Sequence, residues 1–245
     1  MCFTVNVNLV KEEMERRFNA TLNDPDSYRP SYYYHAFELP RIPVITNHDP
    51  DLIQLFQWGL IPSWTASEEK ANILRYQTFN ARAETITQKP SFRKPIQSNR
   101  CLVIASGFYE WQHRPEGKIP HYVYLKDHKI FSFAGIYDVW TNHMTGEISF
   151  TFSIITTRAN SMMEKIHNSK KRMPVIINPA QESTWLDRNV MIHDAIQLLQ
   201  PFPDDRMEAY TIGPMISKKG IEKNTPELIK PYNYEHPGLF QDNQA

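Results

Sequence analysis

The sequence predicts an α+β fold: a single domain with a mainly antiparallel β-barrel-like or sandwich core and a few peripheral helices. Three observations lead there. Residues 3–9 alternate apolar and polar with period 2, and further short strand-like segments recur along the 245 residues, set apart by turn-forming residues that include 18 prolines. Helical signals are few and fall between or after these segments. No regular βα alternation and no glycine-rich phosphate loop occurs, which argues against a doubly wound sheet and a nucleotide cofactor.

Each element can be justified in turn. Residues 3–9 alternate Phe3, Val5, Val7 and Leu9 against Thr4, Asn6 and Asn8, so the chain is expected to enter a sheet directly after Cys2. Residues 10–20 read as a helix. The stretch 23–41 is dense in aromatics (Tyr28, Tyr32, Tyr33, Tyr34, Phe37) and broken by Pro25, Pro30 and Pro40, and reads as ordered irregular structure. Strands are expected at 44–46, 52–58, 101–104, 108–112, 121–125, 131–139 and 149–156, with spacing suited to a mixed, largely antiparallel system. Helices are expected at 67–74, 160–166, 179–186 and 191–200, with Pro179 placed as a first helical residue. The domain is expected to span 1–231, and residues 232–245, rich in Asn, Gln, Pro and acids, read as a loose tail.

Composition narrows the function classes. Two cysteines supply neither a disulfide framework nor a four-cysteine zinc site, so a reducing, cytoplasmic setting and no metal are expected. Ahead of Lys11, Glu12 and Glu13 the short apolar run lacks the basic segment and cleavage site of a signal peptide. No apolar stretch approaches the roughly 20 residues that span a bilayer, so a soluble protein without membrane contact is expected. The 27 basic and 27 acidic side chains cancel, yet the distribution is uneven. From Lys70 to Arg100 seven basic residues face Glu84 alone, and from Arg158 to Arg172 five face Glu164 alone. If the two blocks meet in space they form one basic face suited to a phosphate backbone; otherwise they are separate solvated surfaces.

Cys2 carries the most chemical information. Removal of Met1 would leave an α-amine of pKa about 7.7–8.0 and a thiol of pKa about 8.5 on one carbon skeleton. Such an aminothiol condenses with an aldehyde to an imine, and the sulfur then closes a five-membered thiazolidine ring. An N-terminal cysteine can equally serve as an amide-cleaving nucleophile with its own amine as base.

Further along stand Trp58-Gly59-Leu60-Ile61-Pro62-Ser63-Trp64, Asn80-Ala81-Arg82-Ala83-Glu84-Thr85, Arg100-Cys101-Leu102 leading to Gly107-Phe108-Tyr109-Glu110-Trp111, Phe133-Ala134-Gly135-Ile136, and Ile166-His167 with Arg172-Met173-Pro174-Val175. Singly each is a weak signal. In this order behind Cys2 they closely resemble the SRAP (SOS response-associated peptidase) family of abasic site processing proteins, over Cys2 to about Ile177. The resemblance implies a cofactor-free, monomeric protein that binds single-stranded DNA. It would capture the aldehyde of an abasic site with its N-terminal cysteine as a thiazolidine crosslink, after autocatalytic loss of Met1, with an accompanying abasic-site lyase activity. It would act in the cytoplasm, at the nucleoid during DNA damage.

Roles transfer residue by residue. Cys2 matches the nucleophile, and Asn80 the group that orients the abasic sugar. Glu110 matches the proton-shuttling carboxylate, its pKa raised by burial beside Trp111. His167 matches the acid/base histidine. Arg82 and Arg172 match DNA-binding arginines, and Trp58 and Trp64 stand where aromatics can stack on or wedge against bases. Two departures are visible: Phe3-Thr4 follows Cys2 where the family commonly has Gly-Arg, and the gap from His167 to Arg172 is three residues longer. Two other readings use the same residues. One is a cysteine peptidase or amidohydrolase acting on other substrates, and the other a non-catalytic module for single-stranded nucleic acid.

Overall fold

The computed structural model describes residues 2–235. In chain order its strands are β1 (Thr4–Val7), β2 (Thr21–Leu22), β3 (Ser31–His35), β4 (Arg41–Thr46), β5 (Leu52–Trp58), β6 (Asn80–Arg82), β7 (Arg100–Ala105), β8 (Gly107–Arg114), β9 (Gly117–Leu125), β10 (Phe131–Thr141), β11 (Ile148–Arg158), β12 (Arg172–Pro174), β13 (Ile176–Ile177) and β14 (Met207–Thr211). The helices are α1 (Lys11–Phe18), α2 (Glu68–Arg75), α3 (Pro95–Ser98), α4 (Ser161–Ile166), α5 (Glu182–Leu186) and α6 (Ile192–Gln197).

Apolar strands that pair on both edges leave no edge open, and five segments use that solution. Strand β4 pairs with β5 and β7, β7 with β10, and β10 with β11, all antiparallel. A parallel contact between β11 and β5, Phe152 opposite Trp58, closes the ring. The result is a closed five-stranded mixed barrel, in keeping with the barrel-like α+β expectation. All six residues of β7 are buried, as expected of a strand covered on both faces.

The second sheet, β14-β9-β8-β1-β3, is wholly antiparallel and leaves the barrel where β7 runs through Ser106 into β8. Side chains alternate along β8. Phe108 joins the main core, while Tyr109 packs on the other face with Tyr122, Ile212, Ile216 and Leu228. Gly107 makes this possible, because a Cβ there would lie 2.3 Å from the Tyr122 hydroxyl.

Several segments differ from their sequence reading. Within 23–41, Ser31–His35 forms β3 against β1; consecutive aromatics on a partly buried edge strand mask the period-2 pattern. Strands β6 and β14 were also not anticipated, the first because three residues are too few to show a period. Pro179 opens a 3-10 turn, Pro179–Gln181, ahead of a shorter α5. Of the expected tail, residues 236–245 lie outside the described residues. Tyr232 and Tyr234 are fixed: Tyr232 N–H donates to Thr211 O (2.8 Å) and the Tyr234 hydroxyl to Ile212 O (3.0 Å). Among the described residues no helix is long and apolar enough to cross a membrane.

Candidate active site at the chain start

Cys2 lies two residues before β1 and is fully buried. Its carbonyl oxygen accepts a hydrogen bond from Asn80 Nδ2 at 2.9 Å, which fixes the first residues of the chain against β6. The position of Asn80 is itself over-determined. Gly59 follows β5 with φ +111°, a conformation that favours glycine, and a Cβ there would fall 2.8 Å from Arg75 O and 3.2 Å from Phe79. The segment ahead of β6 can therefore close in. Thr78 Oγ1 donates to Leu60 O (2.6 Å), Trp58 Nε1 to Phe79 O (2.9 Å) and Ser153 Oγ to Thr78 O. Asn80 Oδ1 is buried without a hydrogen-bond partner among the described residues. Such an acceptor beside Cys2 can take a hydrogen bond from a donor on a bound molecule.

Burial pushes the Cys2 thiol well above the ordinary thiol range, the charge of Glu110 adds to this, and a hydrogen bond from the Thr4 backbone partly offsets it. The sulfur is thus held as a thiol. Glu110, 5% exposed on β8, is pushed up to about 7, first by burial, with a hydrogen bond from the Trp111 backbone opposing the shift. A carboxyl that exchanges its proton near neutrality is the property a proton shuttle needs. The burial does not come from Trp111. That ring packs on the opposite face of the sheet, its Nε1 donating to Ser217 Oγ at 3.2 Å.

His167 follows the last turn of α4, and its Nδ1 lies 2.9 Å from Arg172 O and 3.6 Å from Glu110 Oε2. A carbonyl can only accept, so Nδ1 carries the proton and Nε2 the lone pair. Burial depresses the imidazole to about 4, and the ring stays neutral beside Glu110. The lengthened gap before Arg172 is accommodated by a closed turn. Lys171 N–H donates to His167 O (2.8 Å), Lys171 adopts φ +50°, and Asn168 bonds both backbone groups of His113 (3.0 and 2.8 Å).

Four of the predicted site residues thus converge: Cys2, Asn80, Glu110 and His167. Sequence reading missed His121, which stands opposite Glu110 in the β8–β9 register and is buried with its pKa lowered, mainly by burial. Paired strand positions share a face, but a register spanning a hairpin leaves no local motif.

The proposed DNA contacts separate. Arg82 is exposed on β6. Arg172 is turned inward, donating to Glu84 Oε1 (2.6 Å) and to Thr156 O (2.7 Å). Trp64 is half exposed, whereas Trp58 is fully buried and stacked on Phe152 at 6.0 Å. Trp58 cannot stack on a base; it supports the floor of the site through Phe79. The two basic blocks touch where β11 pairs with β6 at Thr156–Arg82 and with β12 at Arg158–Arg172, and there Arg172 is paired with Glu84. Arg100, by contrast, is buried against the carbonyls of Trp185 and Asp187.

The family described as SOS response associated peptidase (SRAP) matches residues 1–219. The chain belongs to the SRAP family. Among its SRAP relatives, Abasic site processing protein YoqW of Bacillus subtilis is 40% identical over 222 residues, covering 89% of this chain and 94% of its own. Abasic site processing protein HMCES of Gallus gallus is 30% identical over 196 residues, 71% of this chain and 56% of its own. A crystal structure of a Bacteroides thetaiotaomicron protein matches with a TM-score of 0.89 at 40% identity, covering 95% of this chain and all of that one. One from Bordetella bronchiseptica matches at 0.75 and 25% identity, over 86% and 100%. All four motif-borne site residues fall inside the SRAP match.

Proposed function

We propose that this protein processes abasic sites in single-stranded DNA by forming a thiazolidine crosslink through Cys2. The observation that carries the reading is the burial of an N-terminal cysteine within reach of a carboxyl poised near pH 7 and a neutral histidine. The names of the curated relatives agree with it.

Hydrolysis of the Met1–Cys2 bond consumes one water and exposes the amine. His167 Nε2 takes the C1′ hydroxyl proton as the C1′–O4′ bond breaks and returns it to O4′, freeing the aldehyde with the sugar's net proton count unchanged. The amine adds to the aldehyde carbon, and Glu110 in its acid form gives a proton to the departing hydroxyl, so that water leaves and an imine forms. The thiol then adds to the imine carbon; its proton passes to the Glu110 carboxylate and the ring nitrogen ends protonated. Amine, thiol and aldehyde have become thiazolidine plus one water. A lyase activity follows at the imine stage if β-elimination precedes closure by sulfur. Asn80, holding the Cys2 carbonyl, fixes the direction in which amine and thiol point.

The test is incubation with a uracil-containing single strand treated with a uracil glycosylase. The expected product, on a denaturing gel and by intact mass, is protein lacking Met1 plus DNA less one water. Absence of any adduct would overturn the reading.

A further inference from the structure

The groups that carry the chemistry and the groups that face DNA are separate in this molecule. Cys2, Glu110 and His167 are each 5% exposed or less, and Glu110 Oε2 lies 3.6 Å from His167 Nδ1. The expected DNA contacts lie outside this cluster: Arg82 and Trp64 are exposed, and the Arg172 guanidinium is committed to Glu84 and Thr156. The steps from aldehyde to thiazolidine involve the aldehyde carbon, the Cys2 amine and sulfur, and the proton-transfer groups. None of them requires a phosphate.

One polar atom beside Cys2 is unused by those steps. Asn80 donates through Nδ2 to Cys2 O at 2.9 Å, while Oδ1, on the same amide, is buried with no hydrogen-bond partner among the described residues. A buried acceptor left unpaired is costly, and a donor on a bound molecule recovers that free energy. Because the amide grips residue 2 with one end, its other end lies beside whatever becomes attached to residue 2. An abasic deoxyribose in its open form has only hydrogens on the carbon next to its aldehyde. A 2-hydroxyaldehyde has a hydroxyl there, which is a donor.

We propose that the site, once Met1 is gone, also captures free short-chain 2-hydroxyaldehydes, with Asn80 Oδ1 accepting a hydrogen bond from their hydroxyl; this rests on the Cys2 chemistry proposed above. The amine adds to the aldehyde carbon, water leaves as the imine forms, and the thiol adds to the imine carbon. Aminothiol and aldehyde become a hydroxyalkyl thiazolidine plus one water, with no oxidant or reductant. A Cys2 occupied in this way has neither amine nor thiol to offer an abasic site, so these aldehydes compete with DNA for the same residue.

The test treats full-length protein lacking Met1 with glycolaldehyde or with acetaldehyde, which has no hydroxyl, and uses the free peptide Cys-Phe-Thr as reference. Mass spectrometry of the digested protein separates adducts at Cys2 from adducts on lysine. The expected result is a gain at Cys2 of one aldehyde less one water, absent in Cys2→Ala. Glycolaldehyde should be preferred over acetaldehyde by about 5-fold beyond the preference of the peptide, the scale of one hydrogen bond. In Asn80→Ala the ratio should fall to that of the peptide, and a ratio is unaffected by any general loss of rate in the variant. Prior treatment with glycolaldehyde should block the adduct with abasic DNA. Protein that crosslinks abasic DNA but takes up neither aldehyde at Cys2, shows only the ratio of the peptide, or keeps its ratio in Asn80→Ala overturns this inference and leaves the DNA reading standing. Protein that forms no adduct with DNA or with either aldehyde overturns both.

Discussion

The two cysteines occupy environments that are alike in burial and unlike in everything else. Both are fully buried, and burial is the leading reason each thiol is pushed far above its ordinary range. Cys101 sits within β7 opposite Gly135, where an added Cβ would lie 2.7 Å from its sulfur and 2.8 Å from Val103 Cγ2. It is a packing residue in an apolar barrel wall. Cys2 adjoins Glu110 and Asn80 and, once first in the chain, carries an amine on the same skeleton. Low exposure and a raised pKa therefore do not distinguish a nucleophile from an inert thiol. In the proposed chemistry the distinction lies in the neighbouring groups that can move protons and in an amine that can capture the electrophile before sulfur is needed.

The largest effect expected from this contrast is on covalent capture. Cys2→Ala should abolish the adduct with abasic DNA on denaturing gels. Cys101→Ala should leave adduct yield intact and cost about 1–2 kcal/mol in denaturant unfolding, the scale of a small cavity. An adduct that survives Cys2→Ala, or one lost in a folded Cys101→Ala, breaks the comparison.

A second variant separates proton transfer from mere burial. Glu110→Gln keeps the shape but cannot shuttle a proton, and crosslinking should slow by about 10²–10⁴-fold. The wild-type rate should show an inflection near pH 7 that the variant lacks. Stability carries the same signature with signs that oppose. Glu110 binds its proton more tightly folded than unfolded, so its contribution is full below about 4.5 and is lost as pH rises through about 7. His167 binds its proton less tightly when folded, so its contribution is full above 6.5 and is lost as pH falls to about 4. The two slopes largely cancel in the wild type between these limits. In Glu110→Gln only the histidine slope remains, so the variant should gain on the wild type as pH rises from 5 to 8, by on the order of 3 kcal/mol at most. Urea unfolding at both pH values reads this directly, and a constant difference would place Glu110 outside the coupled pair.

What was legible in the sequence follows the same division between local and non-local information. Cys2, Asn80, Glu110 and His167 each stand in a short ordered motif, and the structure brings them together. Trp58 also stands in a motif, but the left-handed Gly59 behind it folds the chain back and buries the indole under Phe79; no spacing rule reveals that. The strands of the barrel could be read as short apolar runs between turn-forming residues, and β1, outside the barrel, by its period-2 alternation. Strand β6 could not, since its three residues pair only because β11 runs on beyond β5. Closure of the barrel by one parallel contact and the place of His121 across from Glu110 both depend on register between separate segments.

The smallest effects concern the two arginines first read together as DNA contacts. Arg82 is exposed at the edge of the site, whereas the Arg172 guanidinium is committed to Glu84 and Thr156 and its backbone carbonyl holds His167. Each phosphate contact on a single strand adds about 0.7 to the slope of log affinity against log salt. Arg82→Ala should therefore reduce that slope by about 0.7 on strands carrying tetrahydrofuran, an unreactive abasic analogue, and leave unfolding unchanged. Arg172→Ala should leave the slope alone and lower stability by about 1 kcal/mol, the scale of its lost hydrogen bonds. The opposite result would mean that the Glu84 pair opens on DNA, exchanging one carboxylate for a phosphate. Because Glu84 is half exposed, that exchange would be cheap, and the salt slope of Arg172→Ala is the measurement that decides it.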